Sequence, residues 1–247
     1  MNSQSGFSAL ILAAGEGTRM KSDLAKVLHK LRGIPMIRYV VRSVREINPD
    51  RIVLVVGYQS EAIIDEFKDE NLEFVLQEER LGTGHAVMTA RDNIEETTGS
   101  IIVLTGDTPL LNPETLREFI DFHRENNNSA TVLSTVMKNP EGYGRIIRDN
   151  SGGLDKIVEH RDANEKELKV NEINSGIFCF QSRELFKALE KVNRKNSQAE
   201  YYLTDVMAVL NRGGRKTGVF RCKNRFEVIG INTSEQLEEA ERLMVDG

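Results

Sequence analysis

Four short apolar runs in the first half of the chain constrain its fold more than any other feature. They are continuous rather than alternating, and they occupy residues 9–13, 52–56, 74–76 and 101–104. Such runs are typical of strands buried on both faces of a parallel sheet. Segments with helical spacing separate them. The pattern therefore predicts strand–helix–strand crossovers and a Rossmann-like open, mostly parallel α/β sheet with helices on both faces.

The pattern changes after about residue 128. Strands are predicted in the second half at residues 130–136, 144–148, 154–158, 173–180 and 217–222. The tetrapeptide Asn150-Ser151-Gly152-Gly153 predicts a hairpin turn between two of them. We expect these strands to form a mixed-strand extension of the first sheet. No linker composition separates the halves, so we predict one domain over 1–247, with halves at 7–128 and 129–232 and a C-terminal helix in 233–247.

Composition excludes several classes of protein. The chain has 247 residues, a formal net charge of −5 and no apolar run of membrane-spanning length. This charge disfavours nucleic acid as a partner, and the absence of a long apolar run excludes a helical membrane anchor. The polar N-terminus shows no targeting segment, and Cys179 and Cys222 are interpreted as buried free thiols rather than a disulfide or a metal site. A cytoplasmic protein that binds small molecules is expected, and the oligomeric state is left open.

A glycine-containing loop directly follows the first apolar run. It reads LAAGEGTRM over residues 12–20 and is followed by Lys26. Gly15 and Gly17 allow backbone N–H groups to approach an anion, and Arg19 and Lys26 supply positive charge suited to a triphosphate. A tight turn with two solvated cations is the alternative. A dinucleotide-binding loop is disfavoured because Met20 occupies the place of its third glycine, and the G-x-x-x-x-G-K-[ST] phosphate loop is absent.

Nine ordered segments resemble the sugar nucleotidyltransferase family, and more narrowly the uridylyltransferase domain of bifunctional N-acetylglucosamine-1-phosphate uridylyltransferases. They are LAAGEGTRM with Lys26, Gln77, LGTGHA (81–86), GD (106–107), GYGRI (142–146), VEH (158–160), EINSG (172–176), EYYLTD (200–205) and GIN (230–232). The resemblance runs from about residue 8 to about residue 240. It implies that 7–128 is a nucleotide-binding half and 129–232 a sugar-binding half.

The resemblance assigns roles to most of the first half's motif residues. It implies that Arg19, Lys26 and Asp107 are catalytic. It also implies that the nucleotide is bound by Leu12, Ala13, Ala14, Gly15, Gly17, Thr18, Gln77, Gly82, Thr83, Thr105 and Gly106. The amide of Gln77 can donate and accept at once, which suits the mixed edge of uracil. By itself, Gln77 would be interpreted as a surface glutamine, and the glycines on either side of Thr83 favour the binding role.

Asp107 and Asn232 are implied by the resemblance to bind Mg²⁺. Asp107 follows a buried strand, where open α/β sheets bind ligands, and oxygen donors suit this hard cation. Each residue also has a structural alternative. Asp107 could cap the helix after Pro113, although the separation is unfavourable, and Asn232 could cap the last helix.

The sugar is implied to lie against Gly144, Glu159 and Asn174. Glu159 can accept hydrogen bonds from hydroxyl groups, Asn174 can pair with hydroxyl or amide groups, and Gly144 leaves room for a ring. Without the resemblance, Glu159 would be interpreted as a solvated residue of an edge strand. Thr105 departs from the family pattern, because relatives often carry tyrosine there, and this puts binding affinity in question more than activity.

The predicted reaction transfers a uridylyl group from UTP to N-acetylglucosamine 1-phosphate and releases pyrophosphate. N-acetylmuramic acid 1-phosphate or glucose 1-phosphate as acceptor, or dTTP as donor, are alternatives within the class. A nicotinamide-dependent oxidoreductase and a non-catalytic nucleotide-sugar-binding protein are alternatives outside it. Relatives continue into a β-helix acetyltransferase domain whose hexapeptide repeats do not occur here, so acetyltransferase activity is not expected.

Overall fold

The computed structural model describes residues 6–94 and 99–244. Its strands are β1 (Phe7–Ala13), β2 (Lys30–Leu31), β3 (Ile34–Pro35), β4 (Arg51–Val56), β5 (Glu73–Leu76), β6 (Ser100–Thr105), β7 (Ala130–Val136), β8 (Arg145–Arg148), β9 (Leu154–Val158), β10 (Glu172–Gln181) and β11 (Thr217–Arg221). Its helices are α1 (Met36–Glu46), α2 (Ser60–Glu66), α3 (Thr83–Thr89), α4 (Pro113–Glu125), α5 (Ser182–Leu189), α6 (Asp205–Arg212) and α7 (Ser234–Leu243). The predicted C-terminal helix is therefore α7, and residues 1–5 and 245–247 of the predicted domain lie outside the described residues.

A mixed sheet runs through both halves of the described chain. Seven strands follow one another in the order β11-β7-β10-β6-β1-β4-β5, and the β8–β9 hairpin attaches to β10. The strands β6, β1, β4 and β5 are parallel. Strand β10 runs antiparallel to both β6 and β7, whereas β11 is parallel to β7. The predicted open, mostly parallel sheet with a mixed-strand extension is confirmed.

Strand β1 lies at the centre of the parallel part and is buried on both faces. Ala9 and Ile11 pack into a cluster that also contains apolar residues of α1, α2 and α4. Leu10 points to the other face and packs with residues of α3, α5 and α6. All three side chains are fully buried. Because both faces are covered, apolar side chains are favoured at successive positions, which explains the continuous apolar run at residues 9–13; Ser8, which is also fully buried, is the polar exception in β1.

Two helix starts follow directly from local sequence. The side chain of Asn112 accepts a hydrogen bond from Glu114 N at 2.9 Å, and Pro113 occupies the first turn of α4. The Thr233 hydroxyl accepts from Gln236 N at 3.3 Å and caps α7. Such caps satisfy backbone N–H groups that the helix leaves unpaired. No described helix has both the length and the apolar character needed to traverse a bilayer.

The second half departs from regular pairing at one strand. In β10 the register against β7 shifts between Asn174 and Phe178. Gly176 lies within this irregularity with φ +83°, in the left-handed region that favours glycine. A Cβ built on Gly176 would lie 3.0 Å from Thr105 Cγ2 at the end of β6. The bulge therefore brings the β10 backbone close to the carboxyl end of the parallel sheet.

Glu172, at the start of β10, lies in a cluster of charged and polar groups. Its carboxylate accepts hydrogen bonds from the Ser134 hydroxyl at 2.7 Å and from two nitrogens of Arg148, each at 2.8 Å. The Arg221 Nη2 atom lies 3.3 Å from Glu172 Oε2, but more than half of the Arg221 side chain is exposed to solvent. Burial opposes ionisation, yet these donors and the Arg148 charge lower the pKa of Glu172 from 4.5 to about 2.

We expect Glu172→Gln to destabilise the fold near neutral pH by about 3 to 4 kcal/mol, since its pKa falls from 4.5 to about 2 and one pKa unit corresponds to about 1.4 kcal/mol. A folded-state pKa below the unfolded value gives stability that is present above pH 4.5 and is lost as pH falls towards 2. Urea unfolding of wild type and variant across this range should therefore show converging stabilities. The exposed Glu165→Gln serves as the control. A constant difference at all pH values would contradict the assignment.

Candidate functional site

A cleft of about 260 Å³ opens at the carboxyl ends of β1 and β6. Its lining residues come from the loops after β1, β5 and β6 and from the segment before α6. They are Leu12, Ala13, Ala14, Gly15, Lys26, Val27, Gln77, Arg80, Gly82, Thr83, Ala86, Thr105, Gly106, Asp107 and Glu200. Most residues assigned to the nucleotide by sequence are thus brought together at one place. Ligands bind at this edge in open α/β sheets, because loops there converge at the ends of parallel strands.

The glycine loop after β1 leads into a single turn of 3-10 helix over Thr18–Met20. Gly17 has φ +75°, and a Cβ there would collide with Lys26 Cβ, so the loop requires glycine on two grounds. A Cβ on Gly15, in contrast, would have no neighbour within 4 Å. The loop backbone is therefore packed on the Lys26 side and open on the cleft side at Gly15.

Arg19, Lys26, Asp107 and Asn232 form one cluster beside the cleft. The Asn232 Oδ1 atom accepts from Arg19 Nη2 at 2.8 Å and from Lys26 Nζ at 3.0 Å. Lys26 Nζ also forms an ion pair with Asp107 Oδ2. Burial by itself would raise the pKa of Asp107, but the Lys26 charge and hydrogen bond hold that pKa below its ordinary value. Asp107 is therefore an anion in the folded protein.

The structural alternatives for Asp107 and Asn232 are wrong. The cap of α4 is Asn112, and the cap of α7 is Thr233. The side chains of Asp107 and Asn232 instead point to the shared cation, Lys26. Their polar atoms are thus free of a helix-capping role.

The donor set fits a magnesium ion. Asp107 and Asn232 present one carboxylate and one amide oxygen, and both oxygens already share a single positively charged partner in Lys26 Nζ. Mg²⁺ is commonly held by one or two carboxylates, with phosphate oxygens and water completing the octahedron. No group of three or more His, Cys, Asp or Glu side chains suited to a metal occurs among residues 6–94 and 99–244. A metal here would therefore depend on substrate phosphates for further ligands.

Gln77 also lines the cleft and is 4% exposed, so the interpretation as a surface glutamine is wrong. Its Nε2 lies 3.2 Å from Gly82 O and 3.0 Å from His85 Nδ1. Gly82 has φ +106°, and a Cβ on it would lie 2.7 Å from Tyr201 O. Thr83 Oγ1 accepts from Leu203 N at 3.1 Å. These contacts fasten the predicted base-binding segment to the chain before α6.

The three predicted sugar-binding residues are adjacent. Asn174 N donates to Gly144 O at 2.9 Å, and a Cβ on Gly144 would lie 3.3 Å from Glu159 Oε2. Glu159 is half-buried and accepts from the Thr204 hydroxyl at 3.0 Å, which does not fit a freely solvated edge residue. Burial raises the pKa of Glu159, and the neighbouring carboxylates of Asp205, Asp162 and Glu200 act in the same direction.

Four residues near the site were not identified from sequence. Arg80, Glu200, Val27 and Ala86 line the cleft. Glu200 belongs to a motif string that resembles the family, but its place beside Gly82 depends on a contact between distant segments. Ala86 ends the LGTGHA string and Val27 directly follows Lys26, but neither was assigned a role, and no local pattern marked Arg80.

Tyr143 was also missed as a site residue. Its hydroxyl lies 3.5 Å from Gly230 O, and burial together with the Asp107 charge raises the pKa of Tyr143 to about 12. Tyr143 stands between two glycines of the GYGRI string, which was the available signal. Arg19 approaches the same string, because a Cβ on Gly142 would lie 3.9 Å from Arg19 Nη1.

Comparison with known proteins identifies relatives over almost the whole chain. Two proteins named bifunctional protein GlmU are similar to it: the one from Acetivibrio thermocellus is 47% identical, and the one from Streptococcus agalactiae serotype V is 48% identical. Each alignment covers 96% of this chain and 51% of the relative. The chain thus spans about half the length of the curated relatives it matches.

A solved structure of UDP-glucose pyrophosphorylase complexed with UDP-glucose has the same fold. It superposes with a TM-score of 0.79 at 18% identity and covers 98% of this chain and 99% of its own. The sequence profile of the MobA-like NTP transferase domain matches residues 9–208. The resemblance inferred from the motifs is confirmed, and the chain belongs to the MobA-like NTP transferase domain family.

Proposed function

We propose that the chain transfers a uridylyl group from UTP to N-acetylglucosamine 1-phosphate and releases pyrophosphate. The observation that carries the proposal is the convergence of Arg19, Lys26, Asp107 and Asn232 at the mouth of the cleft. Two cations and two oxygen donors at one point suit a triphosphate with its metal. The motif resemblance to uridylyltransferase domains implies a uridylyl donor and this amino sugar as acceptor, and the similarity to proteins named GlmU agrees with that resemblance.

The proposed step is an in-line displacement at phosphorus. An oxygen of the sugar 1-phosphate forms a bond to the α-phosphorus of UTP, and the bond from that phosphorus to the bridging oxygen of the pyrophosphate breaks. The leaving group departs with the bonding electron pair. A phosphate monoester is already ionised near neutral pH, so no general base is required. Positioning and charge neutralisation then supply the rate enhancement.

Each residue of the cluster has a distinct part in this proposal. Arg19 offers a planar fork of donors to phosphate oxygens, and Lys26 a movable point charge. Asp107 and Asn232 would hold Mg²⁺, which supplies charge stabilisation to the phosphates when bound. Lys26 bridges the same two oxygens and thereby keeps their mutual orientation.

The base and the sugar are proposed to lie on opposite sides of this cluster. The Gln77 amide, with the Gly82-Thr83 turn, would contact uracil, and Leu12, Ala13, Ala14, Gly15, Gly17, Thr18, Thr105 and Gly106 would contact the rest of the nucleotide. Gly144, Glu159 and Asn174 would contact the sugar. Glu159 can accept from sugar hydroxyls, and charge-assisted hydrogen bonds of this kind contribute more than neutral ones.

The proposal is tested by pyrophosphate release in the presence of Mg²⁺. UTP and dTTP are each combined with N-acetylglucosamine 1-phosphate, glucose 1-phosphate and N-acetylmuramic acid 1-phosphate. Preference for UTP with the first acceptor supports the proposal. Turnover only with another pair would retain the mechanism and overturn the specificity. Absence of turnover with all pairs, despite UTP binding, would indicate a non-catalytic binding protein.

We expect Glu159→Gln to raise the KM for the sugar 1-phosphate about tenfold, because glutamine keeps one acceptor but loses the charge that strengthens the bond. The KM for UTP should change little, since Glu159 is not among the residues that line the nucleotide cleft. Steady-state kinetics with each substrate varied in turn measures both constants. Glu165→Gln on the exposed surface is the control. Equal changes in both KM values would contradict the sugar assignment.

A further inference from the structure

The side-chain amide of Asn232 must be held in one orientation to serve the site. Its oxygen accepts from Arg19 and Lys26, and its Nδ2 donates to Gly230 O at 2.8 Å. A flipped amide would turn its NH₂ group towards both cations and would offer neither of them an acceptor. Rotation of this group would therefore remove an oxygen donor from the cluster.

The backbone of Asn232 is held by a residue of the following helix. Gln236, in the first turn of α7, accepts from Asn232 N through its Oε1 at 2.7 Å. Its own backbone N–H is bound by the Thr233 hydroxyl. The arrangement is a variant of the capping box, in which a glutamine in the first turn reaches back to a backbone N–H before the helix. Here that N–H belongs to the site residue rather than to the cap.

Tyr143 contacts the same segment at Gly230. Its hydroxyl donates to Gly230 O at 3.5 Å, and the Gln236 side chain lies beside that hydroxyl. Gly230 O also receives the Asn232 Nδ2 donor. Gln236 therefore contacts the segment 230–232 at Asn232 N. Tyr143 contacts it at Gly230 O, the carbonyl that orients the Asn232 side chain.

The segment from Gly230 to Asn232 is also fastened to Asp107. Ile231 N donates to Asp107 O at 2.9 Å, and a Cβ on Gly230 would lie 2.8 Å from Asp107 Oδ2. Only a glycine permits this approach. The two oxygen donors of the cluster thus have a fixed spacing as long as the segment keeps its place.

We propose that Gln236 and Tyr143 are positioning residues that keep the Asn232 side-chain oxygen directed at Arg19 and Lys26. The catalytic consequence rests on the proposed function, whereas the orientation of the amide does not. Outer residues that orient ligands of a metal or phosphate site typically change affinity or activity by about 10- to 100-fold when they are replaced.

The test compares four variants with the wild-type chain. Gln236→Leu should lower kcat about tenfold with the KM for the sugar 1-phosphate nearly unchanged. Gln236→Glu keeps the acceptor for Asn232 N and should restore most of that loss. Tyr143→Phe should lower kcat by a smaller factor. Thr233→Ala removes the cap alone, so it should lower the melting temperature but leave kcat within about twofold.

A second readout does not require turnover. Without added substrate, the side-chain NH₂ protons of Asn232, observed by ¹⁵N–¹H NMR, should exchange slowly with solvent. Gln236→Leu should accelerate this exchange, whereas Gln236→Glu should not. The inference would be overturned if the Asn232 NH₂ protons exchanged at the wild-type rate in Gln236→Leu. It would also be overturned if Thr233→Ala lowered kcat as much as Gln236→Leu does. A wild-type chain that is inactive with every sugar phosphate would overturn the proposed function alone, and the resonance would still decide the inference.

Discussion

Replacement of Asp107 by asparagine is expected to lower kcat by about 10²- to 10³-fold, the scale on which a lost electrostatic contact to a developing transition-state charge acts. The substitution keeps the size of the side chain and removes its charge. Asp107 is anionic because Lys26 lowers its pKa against the effect of burial. Without that charge, the cluster loses its only carboxylate ligand for the proposed metal.

The same substitution should cost little stability, about 1 kcal/mol. Lys26 has a long, flexible side chain that is 17% exposed, so its ammonium group can reach water in the cleft and can still donate to Asn232. Pyrophosphate release and urea unfolding measure the two effects separately. Asp155→Asn, on the exposed face of β9, is the matched control. Turnover within about threefold of wild type would exclude the catalytic role of Asp107.

Lys26→Met is expected to impair both turnover and folding. Turnover should fall about 10²-fold because a phosphate-binding charge is lost. The free energy of unfolding should fall by about 3 kcal/mol, because the variant leaves a buried carboxylate without its ion-pair partner. Burial then raises the pKa of Asp107 without opposition from the Lys26 charge. The short aspartate side chain cannot move to water as the lysine can.

The double variant separates these two effects. In Lys26→Met with Asp107→Asn no unpaired carboxylate remains, so the stability should recover by at least about 1 kcal/mol relative to Lys26→Met. Turnover should not recover. If the stability loss of the double variant equalled the sum of the two single losses, the unpaired Asp107 carboxylate would not be the cause of the destabilisation in Lys26→Met. The cycle is measured by urea unfolding of all four proteins at one pH, with turnover recorded in parallel.

Local patterns predicted most of the individual strands. The runs at 9–13 and 101–104 became β1 and β6 with one or two residues added at their ends, and the run at 154–158 became β9 without change. These segments could be predicted because continuous burial and a turn signal are properties of neighbouring residues. Both cysteines are buried free thiols, as their apolar surroundings suggested.

The pairing of the strands could not be predicted in the same way. Nothing in the run at 173–180 indicates that β10 inserts antiparallel between β6 and β7, or that its register shifts after Asn174. Sequence separation explains this, since β10 pairs with strands about 40 and 75 residues away, and such pairing depends on how whole faces pack. The position of the predicted sugar-binding residues follows from that insertion.

For this protein, the sequence by itself determined the class of sheet, the glycine loop and the identity of the charged residues, because burial pattern, backbone freedom and charge are local properties. Only the tertiary structure decided that Arg19, Lys26, Asp107 and Asn232 share contacts across more than 200 residues of chain. It also decided that Gln236, an ordinary helix residue in the sequence, holds the Asn232 backbone. A hydrogen-bond network of this kind forms only when the fold brings distant segments to one end of a sheet. The spacing of residues along the chain does not show which of them will be close in space.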